Sequence, residues 1–269
     1  MPAIQPARLK MQVVELVAQY EQPAVFVRQL HALLDKYSNH THRRGQSGEP
    51  LPLVGSYNVP APVMRQVWHE LELVAQAHPN DMWSLCDALW AEQNYDLQQL
   101  AGRILGQLPV EPTEPVISRL QSWVQANPDK RLLDGLLEHG IFRLQQDAPG
   151  QLMDLVAGWL SSSDLPIQHA GLRGLLPIIK QAGTSSLPAI FRLLVPYLRV
   201  APSRLRPDIL NVVAALAQCS PAETAFLLRQ NLSAPDNPDT PWIIRQVLDE
   251  FPEETRAGLR AAMKAVNKQ

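Results

Sequence analysis

Cysteine and glycine motifs are scarce in this chain of 269 residues, which contains only two cysteines and 13 scattered glycines. Cys86 and Cys219 stand far apart without a CxxC partner, so we expect reduced thiols buried among apolar helix positions, with a reactive or bridged pair as the alternative. No G-x-S-x-G or G-x-x-x-x-G-K pattern and no dinucleotide fingerprint occurs, which argues against serine hydrolysis and nucleotide chemistry. We therefore expect no cofactor.

The sequence also has no run of about 18 apolar residues, so it predicts no membrane span. Its N-terminus lacks the basic-then-apolar plan of a signal peptide, which predicts a cytoplasmic protein. Lysine and arginine number 24 against 26 acidic residues. This balance gives no global sign of a nucleic-acid or anionic-membrane partner, and it leaves a local basic face open.

What the chain does have is a repeated helical pattern. From Pro62 to Leu108 the apolar residues recur in steps of three and four, which is typical of amphipathic helices. This pattern continues almost to the C-terminus as paired helices, and the starts within each set lie roughly 31 to 38 residues apart. First helices are predicted near Pro62, Asp96, Lys130, Pro166, Leu205 and Pro241, and second helices near Asn80, Thr113, Ala148, Ser185, Pro221 and Pro252. Asn80 is a candidate N-cap, and Ser220 with Glu223 has the spacing of an S-x-x-E capping box.

The spacing predicts an all-α fold, an α-α superhelix or HEAT-like repeat solenoid of about 12 to 14 helices in antiparallel pairs. A globular bundle is the alternative, and it is less favoured because a bundle needs no fixed repeat. We expect one domain over residues 1–269, with an N-terminal helix pair (1–37), a polar loop (38–60) and stacked helix pairs (61–266), in a monomeric protein. His40 and His42 in the loop could be metal ligands, but no Cys or acidic ligand lies nearby in the sequence. A solvated basic loop is therefore favoured, and no metal site is predicted.

Three segments carry a family resemblance. They are GSYNVPAPVMRQVWHEL (55–71), LCDALWAEQNYDLQQLAGRIL (85–105) and WLSSSDLPIQHAGLRGLLPIIK (159–180). In this order they resemble the HEAT-like DNA alkylation repair proteins, whose founding members are base-excision glycosylases. The resemblance implies excision of cationic alkylpurines from duplex or damaged DNA that is held on a concave face.

The resemblance also implies site residues. The similar glycosylases present a tryptophan and, four residues later, an aspartate that faces the deoxyribose. Lys130 stands at the tryptophan position here and Asp134 at the aspartate position. Cleavage of a cationic base develops positive charge on the sugar, which a carboxylate stabilises. Where the family has Trp-x-Arg-Arg, this chain has Pro166 to His169, and His169 carries charge only when it is protonated.

Two functions stay open from the sequence. One is a DNA-binding protein, with Asp134 as its catalytic carboxylate if it is an N-glycosylase. The other is a protein-binding scaffold that has lost the DNA chemistry, and a mixed solvated face is as compatible with the charges as a phosphate-binding stripe. Most tryptophans fall at positions that favour core packing over base stacking, namely Trp68, Trp90, Trp123, Trp159 and Trp242. Trp83 lies off the apolar stripe of its helix and is the one to check for exposure. The candidate nucleic-acid contacts are Arg65, Arg103, Lys130, Arg131, His169 and Arg173.

Overall fold

The computed structural model describes residues 5–38, 54–126, 129–181, 186–234 and 236–266. Within these ranges the chain forms fifteen α-helices and no β-strand, which confirms the all-α prediction. The helices fall into two compact units, Met1–Leu152 and Met153–Gln269. The assignment of the whole chain to one domain stays a prediction, and the histidines at 40 and 42 lie outside the described residues.

The helices of the first unit have six to seventeen residues. A 3-10 turn, Pro79–Met82, precedes the helix Trp83–Ala91, and a π turn, Leu136–Gly140, separates the helices Lys130–Gly135 and Phe142–Asp147. This π turn is the reason that the described residues hold one helix more than the upper end of the predicted range. The helices are α1 (Pro6–Val17), α2 (Pro23–Tyr37), α3 (Ala61–Ala77), α4 (Trp83–Ala91), α5 (Tyr95–Leu105), α6 (Glu114–Ala126), α7 (Lys130–Gly135) and α8 (Phe142–Asp147).

The second unit begins at Met153, within the helix Pro149–Leu160, and continues in helices of eight to seventeen residues. Its helices start close to the predicted positions, and prolines stand at the first or second position of several of them, where a missing N–H costs nothing. The helices are α9 (Pro149–Leu160), α10 (Leu165–Gln181), α11 (Leu187–Arg199), α12 (Arg206–Cys219), α13 (Pro221–Leu232), α14 (Thr240–Val247) and α15 (Glu253–Val266).

Two polar caps fix helix starts, although they are not the predicted ones. The side chain of Asn94 accepts from the N–H groups that open α5, and Asp129 does the same for α7. Asn80, the predicted cap of α4, lies instead inside the 3-10 turn. Ser220 occupies the N-cap position of α13 but its side chain makes no capping hydrogen bond, so the predicted capping box with Glu223 does not form.

Alternate helices pack on each other within each unit. In the first unit α1 contacts α3, α3 contacts α5, α5 contacts α7 and the π turn, and α2 contacts α4. In the second unit α10 contacts α12 and α12 contacts α14, while α11 contacts α13 and α13 contacts α15. This is the packing expected when successive helix pairs stack, because each short helix buries its apolar stripe on the corresponding helix of the next pair. Each fully buried leucine stabilises the fold by about 1.5 to 3 kcal/mol.

The tryptophans and thiols divide between core and surface. Trp123 and Trp159 are buried as predicted, and Trp90 stacks on Trp123 with ring centroids 4.1 Å apart. Trp83 is partly exposed, and the Arg119 guanidinium lies 4.5 Å above its ring. Cys86 is buried, whereas Cys219 is exposed, so the prediction of two buried thiols was wrong for the residue that ends α12.

Candidate functional site

The segment that leads into α3 is fixed to the start of α5. The Tyr57 N–H donates to Oδ2 of Asp96 at 2.7 Å, and the Ser56 hydroxyl donates to the same oxygen at 3.0 Å. The Tyr95 N–H donates to the Gly55 carbonyl at 2.8 Å. Burial raises the pKa of Asp96 above its ordinary value, although these two hydrogen bonds oppose the shift. A buried carboxylate therefore anchors this part of the first resembling segment.

A close backbone approach places the π turn against α5. A Cβ atom added at Gly106 would lie 1.9 Å from the His139 carbonyl oxygen and 3.0 Å from its carbonyl carbon. A Cβ atom at Gly140 would lie 3.2 Å from the Gly102 carbonyl oxygen. Only glycine allows such an approach. It holds Glu138 and His139 beside the polar face of α5, on which Arg103 lies.

Helices α3 and α5, the π turn and the start of α8 line an open cavity of about 250 Å³ in the first unit. The Arg103 guanidinium lies 5.6 Å from the centre of the Trp68 ring. Burial, and then the nearby charge of Arg103, lowers the pKa of His139. The lining combines two aromatic rings, two carboxylates and one fixed cation. Its residues are Trp68, Glu72, Arg103, Gln107, Glu138, His139 and Phe142.

The predicted catalytic carboxylate lies on α7. Asp134 and Lys130 are both exposed and four residues apart, which places them on one side of the helix. Arg131 is half-buried, with its guanidinium 5.8 Å above the Tyr95 ring. Glu138 follows Asp134 after four more residues, so the carboxylate that lines the cavity and the predicted catalytic one are neighbours along the same stretch of chain.

The predicted phosphate contacts of the second unit form a different arrangement. Arg173 is buried and donates from Nε to Oδ1 of Asp208 at 3.1 Å. Nδ1 of His169 contacts Oδ2 of the same carboxylate. Burial lowers the pKa of Arg173, while its bond to Asp208 opposes the shift. One aspartate on α12 therefore engages two candidates that lie four residues apart on α10.

The structure thus divides the predicted site residues between its two units. Arg65 is exposed on α3, and Arg103, Lys130, Arg131 and Asp134 also lie in the first unit. His169 and Arg173 lie in the second. Of the seven residues that line the cavity, the sequence indicated Arg103 as a site residue and missed the other six. Trp68 falls on the apolar stripe of α3, which predicts a core residue. No local sequence pattern predicts the π turn that positions His139.

Metal and membrane features are absent from the parts of the chain described above. Among those residues, no group of three or more His, Cys, Asp or Glu side chains is arranged to hold a metal ion. None of the helices in the same ranges is both long enough and apolar enough to cross a membrane.

The stacked helix pairs and an exposed aspartate on a short helix define an all-α protein with a candidate carboxylate site. The family model described as DNA alkylation repair enzyme matches residues 52–204, more than half of the chain, and the protein belongs to that family. A comparison with curated proteins finds no match. Among solved structures, the crystal structure of an engineered protein is similar over 94% of this chain and 67% of that chain, with 15% identity and a TM-score of 0.40, which carries no argument about fold or function.

Proposed function

We propose that the protein binds duplex DNA through its first unit and excises cationic alkylpurines with Asp134 as the catalytic carboxylate. The observation that carries this proposal is the exposure of Asp134 on α7, one helical turn from the exposed Lys130, in a chain that belongs to the DNA alkylation repair enzyme family. Because both side chains face solvent, a duplex can reach them without any rearrangement of the core.

The chemistry requires one well-placed anion. Alkylation at a ring nitrogen makes the purine a cationic leaving group, so the bond between C1′ and the base nitrogen breaks with its electron pair moving onto the base. The base leaves as a neutral purine, and positive charge develops on the deoxyribose. The Asp134 carboxylate stabilises that charge, and water adds at C1′ with loss of a proton.

Phosphate contacts account for the binding step. Arg65 and Lys130 are exposed, and Arg131 is half-buried at the start of α7. Each cation that neutralises a phosphate releases counterions, so affinity falls with increasing salt. Lys130 replaces the aromatic residue that the resemblance implies, and in this proposal it contacts a phosphate beside the lesion.

The decisive experiment measures the release of 7-methylguanine from methylated duplex DNA. We expect Asp134→Asn to lower the rate on the order of a hundredfold, because the substitution removes one preorganised charge from the transition state. Asp154→Asn is the matched control, since Asp154 is exposed on α9 and lies outside the proposed site. Equal rates for the wild type and Asp134→Asn would remove Asp134 from the mechanism.

A non-catalytic, protein-binding scaffold is the second candidate. It is favoured by the engagement of Arg173 and His169 with Asp208, which occupies two of the predicted phosphate contacts. It is also favoured by the net charge of −2. This candidate predicts weak affinity for duplex DNA, the same affinity for each of the DNA structures, and no base release by the wild-type protein. An electrophoretic series with plain, nicked, branched and alkylated DNA separates the two functions.

A further inference from the structure

We propose that the exposed side of α1 binds the same helix of a second copy of this chain, so that two molecules pair through antiparallel α1 helices. The inference goes beyond the proposed function and does not depend on it. It departs from the monomer that the sequence predicts. The surface is a stripe of four exposed apolar residues along α1 and its C-cap, called here the α1 stripe, and its members are Ala7, Met11, Val14 and Ala18.

Helix α1 has an apolar face on each of two sides. One face is buried in the first unit and consists of Leu9, Val13, Leu16 and Val17. The α1 stripe lies on another side and is exposed along its whole length. A surface helix of a globular protein typically has one apolar face with polar residues opposite, whereas a helix that is apolar on all sides is buried. The second apolar face of α1 therefore indicates a partner.

Large exposed apolar side chains lie together on α1 and singly elsewhere. Met11 is 66% exposed and Val14 is 46% exposed, and they lie three residues apart on one side of the helix. The other such residues in the described part of the chain lie on four different segments, and they are Leu73, Phe142, Val200 and Phe226. Single exposed apolar residues are normal on protein surfaces, whereas contiguous ones mark interaction sites. The α1 stripe is therefore the stronger candidate for a binding surface.

The spacing of the α1 stripe fits a helix as its partner. Successive members are separated by four, three and four residues, which is the spacing with which two helices interlock their side chains along a shared seam. An identical helix offers the same spacing, and a twofold-symmetric pair uses the same patch on both molecules. In an antiparallel pair, Met11 of one copy lies opposite Val14 of the second copy, and Ala7 lies opposite Ala18 of the second copy.

The charges beside the α1 stripe match in the antiparallel direction. Arg8 and Glu15 are exposed and seven residues apart, so they lie on the same edge of the stripe. Antiparallel pairing brings this edge against the same edge of the second copy. Arg8 then lies beside Glu15 of the second copy, and the twofold symmetry repeats this pair. Neither side chain forms an ion pair with another described residue of its own chain, so both charges are available to the second copy.

Sedimentation velocity of the full-length protein over a concentration series tests the inference. A helix of twelve residues buries less than the roughly 1,200 to 2,000 Å² of a stable interface, so we expect a dimer with a dissociation constant on the order of tens of micromolar. The series should extend to about ten times that concentration, at which most of the wild-type protein is dimeric.

A double variant tests the apolar contact. Met11→Gln with Val14→Gln should raise the dissociation constant on the order of a hundredfold, because each substitution removes an apolar side chain from both copies. Phe226→Gln is the matched control, since Phe226 is 63% exposed but lies on α13. The control should dimerise with the wild-type affinity. All of these substitutions change exposed side chains, so each variant should keep the circular dichroism spectrum of the wild type.

The two charges test the direction of the pair. Arg8→Glu and Glu15→Arg should each weaken the dimer severalfold, because each puts like charges together in both symmetric pairs. An equimolar mixture of the two variants should restore the wild-type affinity, since every facing pair then has opposite signs. A parallel pair would bring Glu15 beside Lys10 of the second copy, so it would respond to Glu15→Arg and not to Arg8→Glu.

Three results would overturn the inference. A wild type that stays monomeric over the whole series would assign the α1 stripe to a different protein. A double variant, Met11→Gln with Val14→Gln, that dimerises with the wild-type affinity would place the interface on another surface. A mixture of the two charge variants that associates no better than either variant alone would exclude the antiparallel arrangement.

Discussion

Arg173 donates its Nε hydrogen to Oδ1 of Asp208, and the two side chains are only 8% and 2% exposed. A buried ion pair gains little over an apolar pair of the same shape, but it is costly to break, because the remaining charge is left without its counter-ion in a medium of low polarity. Asp208 also contacts His169, so this single carboxylate joins α10 to α12 through two side chains.

Replacement of Asp208 by alanine should therefore destabilise the second unit strongly. We expect the free energy of unfolding to fall by about 3 to 5 kcal/mol, because Arg173 loses a buried ionic partner. Urea denaturation monitored by circular dichroism measures this change. Asp249→Ala is the control: Asp249 is 90% exposed in its ion pair with Arg256, and such surface pairs contribute about 0 to 1 kcal/mol. Similar losses for the two variants would contradict the structural role of Asp208.

The buried carboxylate of Asp96 should show its charge in the pH dependence of stability. Burial raises the pKa of Asp96 in the folded state. In a range of pH above about 3.9, the native protein therefore keeps a proton on Asp96 that the unfolded chain has already released. The stability of the wild type should fall as the pH rises through this window and stay level above it. Asp96→Asn keeps an acceptor oxygen and has no charge, so it should lack this fall.

The matched variant Asp96→Ala removes the acceptor as well. The Tyr57 N–H and the Ser56 hydroxyl then lose their partner, which should cost about 1 to 3 kcal/mol at every pH. Thermal unfolding of the three proteins over an acidic to neutral pH series separates the two effects. Parallel profiles for the wild type and Asp96→Asn would show that the Asp96 charge has no influence on folding.

Gly106 should tolerate no side chain, because a Cβ atom there would lie 1.9 Å from the His139 carbonyl oxygen. The backbone of the π turn would have to move, and we expect Gly106→Ala to cost about 1 to 3 kcal/mol and to impair the cavity. Gly158→Ala is the opposite control. Gly158 is exposed within α9 with nothing within 4 Å of an added Cβ, so alanine there should stabilise the helix by about 1 kcal/mol. Chemical denaturation of both variants tests whether the free energy of unfolding falls for Gly106→Ala and rises for Gly158→Ala.

The two thiols should differ in reactivity. Cys86 is buried, its pKa is raised by burial, and its Sγ donates to the Ala101 carbonyl oxygen at 3.3 Å. Cys219 is exposed at the end of α12. A disulfide reagent such as Ellman's reagent should modify only Cys219 in the native protein and both thiols after unfolding. Rapid native modification of the Cys219→Ser variant would contradict the burial of Cys86.

Helix positions were predictable from the sequence because apolar spacing and proline positions act locally. Pro221 begins α13 as predicted, and the predicted start near Lys130 matches α7. The helix caps were less predictable, since Asn80 and Asn94 carry the same chemistry and only the turn geometry selects Asn94. The all-α class could thus be predicted from this spacing, whereas the family resemblance rests on the three segments 55–71, 85–105 and 159–180.

The site was predictable only in part, because its polar contacts depend on residues far apart in the chain. The sequence indicated Asp134 as a candidate, but it gave no sign that Arg173 is paired with Asp208, which lies 35 residues further on. Trp68 has the spacing of a core residue, yet Gly106 and Gly140 allow the π turn to approach the end of α5 closely enough to form a cavity at the Trp68 ring. Such tertiary contacts override the local pattern from which the prediction was made.

Exposed and buried cations should contribute differently to DNA binding. Arg65 and Lys130 are exposed in the first unit, so Arg65→Gln and Lys130→Gln should each reduce the slope of log affinity against log salt by about 0.9, the effect of one lost phosphate contact. Arg256→Gln is the control, because Arg256 lies beside Asp249 and Glu253 and is only 24% exposed. Fluorescence anisotropy with a labelled duplex over a salt series gives the slopes. Unchanged slopes for both first-unit variants would exclude Arg65 and Lys130 as phosphate contacts, since the released counterions would have to come from contacts elsewhere.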